Sequence, residues 1–112
     1  AEVNRLLGKA SDVATEQEMI RLANVYWYTM EFGLVWENST TKAFGAGLLS
    51  SVEELAGYQQ NATLEQWDLY KMAETTYDPT DLQRTLFVAP SFTRMLTDLS
   101  GYLRLGDWRT VK

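Results

Sequence analysis

The longest apolar stretch of the chain runs from Leu22 to Trp36, and only Asn24, Thr29 and Glu31 interrupt it. A membrane-spanning helix needs roughly 20 consecutive apolar residues, so this stretch is too short to cross a bilayer. Its apolar side chains recur at spacings of three and four residues and also fill much of the opposite side, which is typical of a buried helix. We therefore predict a core helix and no membrane association.

The limits of this helix are marked by capping and breaking residues. Thr15 and Glu18 match a capping box, in which the hydroxyl and the carboxylate each accept a hydrogen bond from a free amide at the helix start. The helix is expected to end near Gly33, because the segment 37–41 is polar and typical of a turn.

Two short strands are predicted among the remaining segments. In residues 42–49, Gly45 and Gly47 stand among aromatic and branched side chains, which favours a strand with a close backbone approach. Residues 84–88 form the second strand, and we expect the two to pair. The predicted fold class is mainly α, helical with one short two-stranded β element, in a single partial domain over residues 1–112.

The other predicted elements are helices and turns that begin or end at capping residues, glycine or proline. They are the last turns of a helix from Ala1 to Leu7 stopped by Gly8, a helix from Ser50 and Ser51 toward Tyr58, a loop at 57–63, a helix from Thr63 through Ala73, a turn at 77–80, and a last helix after Pro90 and Ser91. Because the sequence starts inside a helix and without methionine, we expect it to be a truncated or processed fragment.

Composition excludes several classes of function. The 112 residues contain no histidine and no cysteine, which removes Ser-His-Asp triads, thiolate metal sites and the usual general base near neutral pH. Fifteen acidic and ten basic residues give a net charge of -5, which argues against binding to nucleic acid or to anionic membranes. The lack of cysteine is compatible with a reducing compartment, and no secretory signal is visible, so we expect a cytoplasmic protein.

Glu31 is a carboxylate within the most apolar segment, between Met30 and Phe32. Burying an ionised carboxylate without partners costs several kcal/mol, on the order of the penalty for any buried ion. Two explanations are open on physical grounds. Glu31 either pairs with an arginine or lysine or faces solvent at the helix end, or it belongs to a functional site where a metal or a shifted pKa uses the apolar surroundings.

Residues 22–34 read Leu-Ala-Asn-Val-Tyr-Trp-Tyr-Thr-Met-Glu-Phe-Gly-Leu, and residues 42–51 read Lys-Ala-Phe-Gly-Ala-Gly-Leu-Leu-Ser-Ser. These two long motifs resemble those of the iron- and tetrahydropterin-dependent aromatic amino acid hydroxylases. The family has closely similar motifs in the same order and at a similar separation. A weaker resemblance covers 77–92, so the likeness reaches from about the start of the chain to Phe92. The resemblance implies that this chain corresponds to the C-terminal half of the catalytic domain in that family.

The resemblance implies roles for individual residues. Glu31 matches the carboxylate that completes a two-histidine, one-carboxylate Fe(II) site, which leaves positions open for dioxygen. Ser50 matches a serine near an iron histidine and the substrate's amino acid end. Trp27, Phe32 and Gly47 match residues that line the aromatic substrate pocket. Tyr26 matches a tyrosine near the pterin and iron, and Tyr77 matches a tyrosine on a loop that closes over the site.

Most of these residues also have ordinary structural interpretations. Tyr26 and Trp27 suit a hydrophobic core, Ser50 and Ser51 suit helix caps, and the glycine pair suits a bend in a strand.

The chain departs from the family because it lacks the histidine segment that supplies the other two iron ligands. We expect the isolated chain to be inactive and to bind Fe(II) and tetrahydropterin weakly, with the missing N-terminal half as its partner and phenylalanine as the substrate. The alternative is a degenerate relative without chemistry, acting as a self-associating or partner-binding module. A stable, defined oligomer favours that alternative, whereas a fragment should be monomeric or aggregation-prone.

Overall fold

The computed structural model describes residues 2–110. In this part of the chain there are six α-helices, four β-strands, one π-helical turn and one 3-10 turn. The helices are α1 (Glu2–Val13), α2 (Glu16–Tyr26), α3 (Ala46–Leu49), α4 (Val52–Asn61), α5 (Leu69–Ala73) and α6 (Phe92–Leu105). The strands are β1 (Leu34–Glu37), β2 (Thr40–Ala43), β3 (Thr63–Gln66) and β4 (Thr85–Ala89), and the π-helical turn is Trp27–Glu31, with the 3-10 turn at Asp107–Arg109. No helix within the described range is long and apolar enough to span a membrane.

The strands form one four-stranded sheet in the order β2-β1-β4-β3, rather than the two-stranded element expected from the sequence. β1 and β2 are an antiparallel hairpin, whereas β4 runs parallel to both β1 and β3. The predicted strand at 42–49 ends at Ala43 and pairs with β1, not with β4. β1 escaped prediction because its apolar residues continue the apolar helix without a break, and β3 because its pairing with β4 outweighs a weak strand composition.

The helical segment expected from Thr15 to near Gly33 begins as predicted and ends at Glu31, but its last turn is π-helical rather than α-helical. Thr15 Oγ1 accepts from the Glu18 N–H at 3.2 Å, and Glu18 Oε1 accepts from the Thr15 N–H at 2.8 Å, which confirms the capping box. After α2, the chain widens into a π-helical turn, closed by the hydrogen bond from the Phe32 N–H to the Trp27 carbonyl at 2.9 Å. Such turns are rare and occur often at functional sites.

Three other helix predictions are corrected. Gly8 lies inside α1 and does not stop it, because Val3, Leu6 and Ala10 are buried and their packing offsets the helix cost of an exposed glycine. Ala1 lies outside the described residues. The loop expected at 57–63 is mostly helix, since α4 continues to Asn61. Thr63 begins β3 rather than a helix, and the N-cap of α5 is Asp68.

The sheet separates two hydrophobic clusters. β4 is buried on both faces, with Phe87 and Ala89 in the larger cluster and Leu86 and Val88 in the smaller one. The larger cluster is formed with α1, α2, α5 and α6, and the smaller one with α3 and α4. Since Phe32 belongs to the smaller cluster and Trp27 packs against both, the π-helical turn lies where the two clusters meet.

The buried phenol of Tyr102 gives a first test of this packing. Its hydroxyl has no hydrogen-bond partner among residues 2–110, and burial, with a smaller effect of Tyr70, raises its pKa to about 12. We expect Tyr102→Phe to raise the free energy of unfolding at pH 7 by about 1 kcal/mol, because an unpaired buried hydroxyl is removed.

The same substitution changes the response to alkali. The folded-state pKa lies above the ordinary tyrosine value of about 10, so ionisation of this group leaves the free energy of unfolding unchanged below pH 10 and lowers it between roughly pH 10 and 12, where the unfolded chain loses the proton first. Tyr102→Phe should therefore flatten the loss of stability in that window, measured by urea unfolding. Tyr28→Phe is the matched control at pH 7: its buried hydroxyl donates to the Thr76 carbonyl at 2.6 Å, so the change should destabilise by about 1 kcal/mol. Equal losses for both variants would contradict the assignment.

Candidate functional site

Glu31 is the last residue of the π-helical turn, and its backbone lies against the segment 44–47. The Gly33 carbonyl accepts hydrogen bonds from the N–H groups of Phe44 and Gly45, both at 3.1 Å. A Cβ atom on Gly45 would lie within 2.6 Å of the Glu31 carbonyl and the Gly33 nitrogen, closer than real Cβ contacts. Glycine is therefore required at position 45 for the two segments to meet. This close approach occurs at the N-cap of α3 and not within a strand.

Gly47 lies in α3, against the side chains of Phe32 and Glu31. A Cβ atom there would lie 2.8 and 2.9 Å from two carbons of the Phe32 ring and 3.0 Å from Glu31 Oε2. The missing side chain thus leaves room for both the ring and the carboxylate. The carboxylate, the Phe32 ring and the α3 backbone consequently share one small region.

The Glu31 side chain is half-buried and has no ion-pair partner within residues 2–110. The interpretation of Glu31 as half of an ion pair with an arginine or lysine therefore does not hold for this part of the chain. In the same range, no group of three or more His, Cys, Asp or Glu side chains could hold a metal. Because a facial iron site takes three protein ligands, the residues present do not form one by themselves.

Trp27 is the centre of an aromatic group beside Glu31. Its ring stacks on Tyr77 with centroids 4.2 Å apart and an interplanar angle of 7°, and it contacts Phe32 at 4.6 Å in a tilted arrangement. Its indole N–H donates to Gln83 Oε1 at 2.9 Å. Aromatic pairs at these separations stabilise each other beyond the burial of their area. Trp27 is therefore held both by stacking and by a directional hydrogen bond.

The loop that carries Tyr77 is fastened to the π-helical turn by Tyr28 as well. The Tyr28 ring meets Tyr77 edge-on at 6.2 Å and Phe87 at 5.1 Å, while its hydroxyl donates to the Thr76 carbonyl. Burial, followed by the proximity of Tyr77, raises the pKa of Tyr28 above its usual value. In this conformation, the loop is closed onto Trp27.

Two further residues were not singled out from the sequence. Gln83, which is 6% exposed, bonds the Trp27 indole, and its own backbone N–H donates to Glu54 Oε2 at 3.0 Å. Glu54 is buried on α4. The only signal in the sequence was the position of Gln83 within a segment that resembles the family, and nothing in its periodicity indicated a contact with Trp27.

Ser50 and Tyr26 take more ordinary positions. Ser50 is exposed at the C-terminal end of α3, where its hydroxyl donates to the Gly47 carbonyl at 3.0 Å. It is Ser51 that caps α4, accepting from the Glu54 N–H. Tyr26 is the last residue of α2 and is half-buried. The structure thus brings together Glu31, Phe32 and Gly47, with Ser50 bonded to Gly47, and joins them through Phe32 to Trp27 and Tyr77.

Comparison with known proteins decides the family. The profile described as biopterin-dependent aromatic amino acid hydroxylase matches residues 1–105. The chain belongs to this family. The hydroxylase resemblance seen in the two motifs is thereby confirmed.

Individual hydroxylases give the same result and show how much of them is covered. A tyrosine 3-monooxygenase from Schistosoma mansoni is 36% identical over 112 residues, which is 99% of this chain and 24% of the relative. Phenylalanine hydroxylase from Chromobacterium violaceum with bound Fe(III) superposes with a TM-score of 0.79 at 30% identity, covering 95% of this chain and 42% of that one. The same enzyme with iron(III) and 7,8-dihydrobiopterin gives 0.76 at 31% identity, covering 95% and 40%. The chain therefore spans less than half of the hydroxylases that it matches.

The two glycines give a test of how the carboxylate is held. Gly45→Ala should destabilise the chain by more than about 3 kcal/mol, because the new methyl meets backbone atoms that cannot move aside. Gly47→Ala should cost less, about 1–2 kcal/mol, because the Phe32 ring and the Glu31 carboxylate can shift.

Gly8→Ala serves as the control in the same urea-unfolding series. A Cβ atom at Gly8 meets nothing within 4 Å, and the residue lies inside α1, so the change should stabilise by about 0.5–1 kcal/mol. Loss of stability at Gly45 no greater than at Gly47 would contradict the close backbone approach.

Proposed function

We propose that this chain provides the carboxylate iron ligand and the aromatic wall of the substrate pocket in a pterin-dependent aromatic amino acid hydroxylase. The observation that carries the proposal is the position of Glu31. It is half-buried, has no ion-pair partner within residues 2–110, and lies beside Phe32 and Gly47 at the end of a π-helical turn. A carboxylate held in this way is available to a cation.

The other two protein ligands come from polypeptide outside residues 1–112, because the sequence contains no histidine. Imidazole and carboxylate together form the facial set that non-haem Fe(II) oxygenases use. Bound Fe(II) and tetrahydropterin supply the activation of dioxygen, and the chain supplies what surrounds them. Glu31 would hold one coordination position, and Ser50, whose hydroxyl donates to the Gly47 carbonyl, is assigned by the resemblance to orient an imidazole or to meet the amino acid end of the substrate.

Binding of the substrate ring falls to Trp27, Phe32 and Gly47. The Phe32 ring contacts Trp27 and lies close to Gly47, and the Glu31 carboxylate lies close to Gly47 as well. A flat hydrocarbon ring suits these aromatic neighbours because aromatic pairs add to the free energy of area burial. We assign an aromatic amino acid as the substrate, with phenylalanine as the first to test.

We assign Tyr77 and Tyr26 to the part of the site that lies near the pterin cofactor. Tyr77 is on the loop between α5 and β4 and stacks on Trp27, so a pterin beside this pocket would meet a loop that also contacts the aromatic wall. Tyr26 precedes Trp27 directly at the start of the π-helical turn. Both assignments rest on the family and on these positions.

The proposal is tested with a chimera in which residues 1–112 replace the matching region of the C. violaceum phenylalanine hydroxylase. We expect this chimera to convert phenylalanine to tyrosine with tetrahydropterin, and to bind Co(II), used as a redox-stable probe, at one site. Glu31→Gln should weaken Co(II) binding by at least about 100-fold, which exceeds the 10–100-fold loss typical of residues that only support a ligand. Titration calorimetry measures the affinity.

Glu37→Gln is the matched control, since Glu37 is exposed and forms an ion pair with Lys42 at the hairpin. It should leave Co(II) affinity unchanged. Equal affinity in the Glu31→Gln chimera and its parent would contradict the assignment of Glu31. An inactive chimera, together with a stable, defined oligomer of the isolated chain, would support the self-associating module instead.

A further inference from the structure

Both polar groups of the Gln83 side chain and its backbone N–H are hydrogen-bonded, although the residue is only 6% exposed. Its Oε1 accepts from the Trp27 indole N–H at 2.9 Å. Its Nε2 donates to the carbonyls of Asp78 and Asp81 at 3.0 and 3.1 Å, and its backbone N–H donates to Glu54 Oε2 at 3.0 Å. A buried amide with all of its hydrogen bonds made is costly to replace, because each lost partner leaves a buried polar group unpaired.

These partners also fix which way the amide points. An indole N–H can only donate, so the atom facing Trp27 must be the amide oxygen. Backbone carbonyls can only accept, so the atom facing Asp78 and Asp81 must be the nitrogen. The alternative amide orientation would oppose like groups on both sides. Gln83 therefore has one orientation, which joins Trp27 to the turn at 78–81.

The turn held by Gln83 is the one that follows Tyr77. Asp78 Oδ1 accepts from the Thr80 N–H at 2.9 Å and from its hydroxyl at 2.6 Å, and both bonds hold the pKa of Asp78 below its usual value. Tyr77 itself stacks on Trp27. The loop thus makes two contacts with the Trp27 ring. Tyr77 stacks on the face of the ring, and Gln83 accepts a hydrogen bond from its N–H edge.

Glu54 joins this arrangement to the other hydrophobic cluster. It is buried in the first turn of α4, the turn that Ser51 caps, and its carboxylate accepts a hydrogen bond from the backbone N–H of Gln83. The capping bond from the Glu54 N–H to Ser51 Oγ, at 3.3 Å, fixes the start of the same helix. Gln83 therefore links three parts of the chain: the π-helical turn, the Tyr77 loop and α4.

We propose that Gln83 is a positioning residue that couples the orientation of Trp27 to closure of the Tyr77 loop. The inference deepens the proposed function, because Trp27 is assigned there to the substrate pocket. When the turn at 78–81 is in place, the Gln83 amide holds the indole edge and Tyr77 covers the indole face, so the substrate ring meets a fixed wall. When the loop moves away, Trp27 loses both contacts together.

The first test uses the full chain without metal or substrate. In ¹H–¹⁵N spectra, Trp27→Phe identifies the indole N–H signal of Trp27, and hydrogen exchange of that signal is then measured. Gln83→Met, which keeps the length and removes every side-chain hydrogen bond, should accelerate indole exchange by about tenfold, the usual weight of one lost buried hydrogen bond. It should accelerate exchange of backbone amides in the Tyr77 loop as well.

The Gln83→Glu variant distinguishes the loss of particular hydrogen bonds from a general loss of folding. Its oxygen can still accept from the Trp27 indole, whereas its second oxygen cannot donate to the carbonyls of Asp78 and Asp81 unless it is protonated. At pH 8 we expect the indole to stay protected while the loop amides exchange faster. Gln60→Met, on the exposed face of α4, is the control and should change neither signal. Unchanged indole and loop exchange in Gln83→Met would overturn the proposal.

The second test uses the active chimera and separates this inference from the proposed function. Gln83→Met should raise KM for phenylalanine by about tenfold with a much smaller change in kcat, because it disturbs a binding wall and not the metal ligand. A purely structural role would lower the amount of folded enzyme without moving KM, and that result would overturn the coupling. An inactive parent chimera with the expected exchange changes would refute the proposed function and leave the coupling of Trp27 to the loop standing.

Discussion

The contact between the end of the π-helical turn and the segment 44–47 is the constraint on which the site depends. A single carbonyl, that of Gly33, accepts hydrogen bonds from two successive amides, Phe44 and Gly45. Because glycine at 45 lets the backbones touch, the hairpin of β1 and β2 returns to the turn and α3 starts directly beside Glu31. Without this contact, the carboxylate would have no fixed neighbours.

The aromatic group extends the same arrangement toward the loop between α5 and β4. Phe32 is shared, since its ring lies against both Trp27 and the backbone at Gly47. Trp27 in turn stacks on Tyr77 and donates a hydrogen bond from its indole N–H to Gln83. One side chain, Trp27, therefore lies between the loop and the Phe32 ring.

Features that depend on neighbouring residues were predictable from the sequence. The capping box at Thr15 and Glu18, the cap at Ser51 and the final helix after Ser91 are all set by side chains within one turn of the helix start, and the structure has each of them. The two long motifs also led to the correct family. The break at Gly8 was wrong, because tertiary packing of α1 outweighs the preference of one glycine.

Features set by distant partners were not predictable. β3 is a strand because β4 pairs with it, and β1 interrupts an apolar segment whose periodicity favours helix. For the candidate site, the sequence pointed to Glu31, Trp27 and Gly47, but it gave no sign that Gln83 bonds an indole 56 positions away. Such a contact has no local signal, since a glutamine in a loop is ordinarily exposed.

Glu31, in the function proposed above, completes a metal site together with histidines that residues 1–112 do not contain. Anomalous diffraction at the cobalt edge, from crystals of the chimera with Co(II), tests it most directly. We expect one anomalous peak with a Glu31 carboxylate oxygen about 2.0–2.2 Å away, the ordinary distance for a carboxylate on such a metal. A peak bound by histidines and water alone, with the Glu31 carboxylate turned away from it, would show that Glu31 is not a metal ligand.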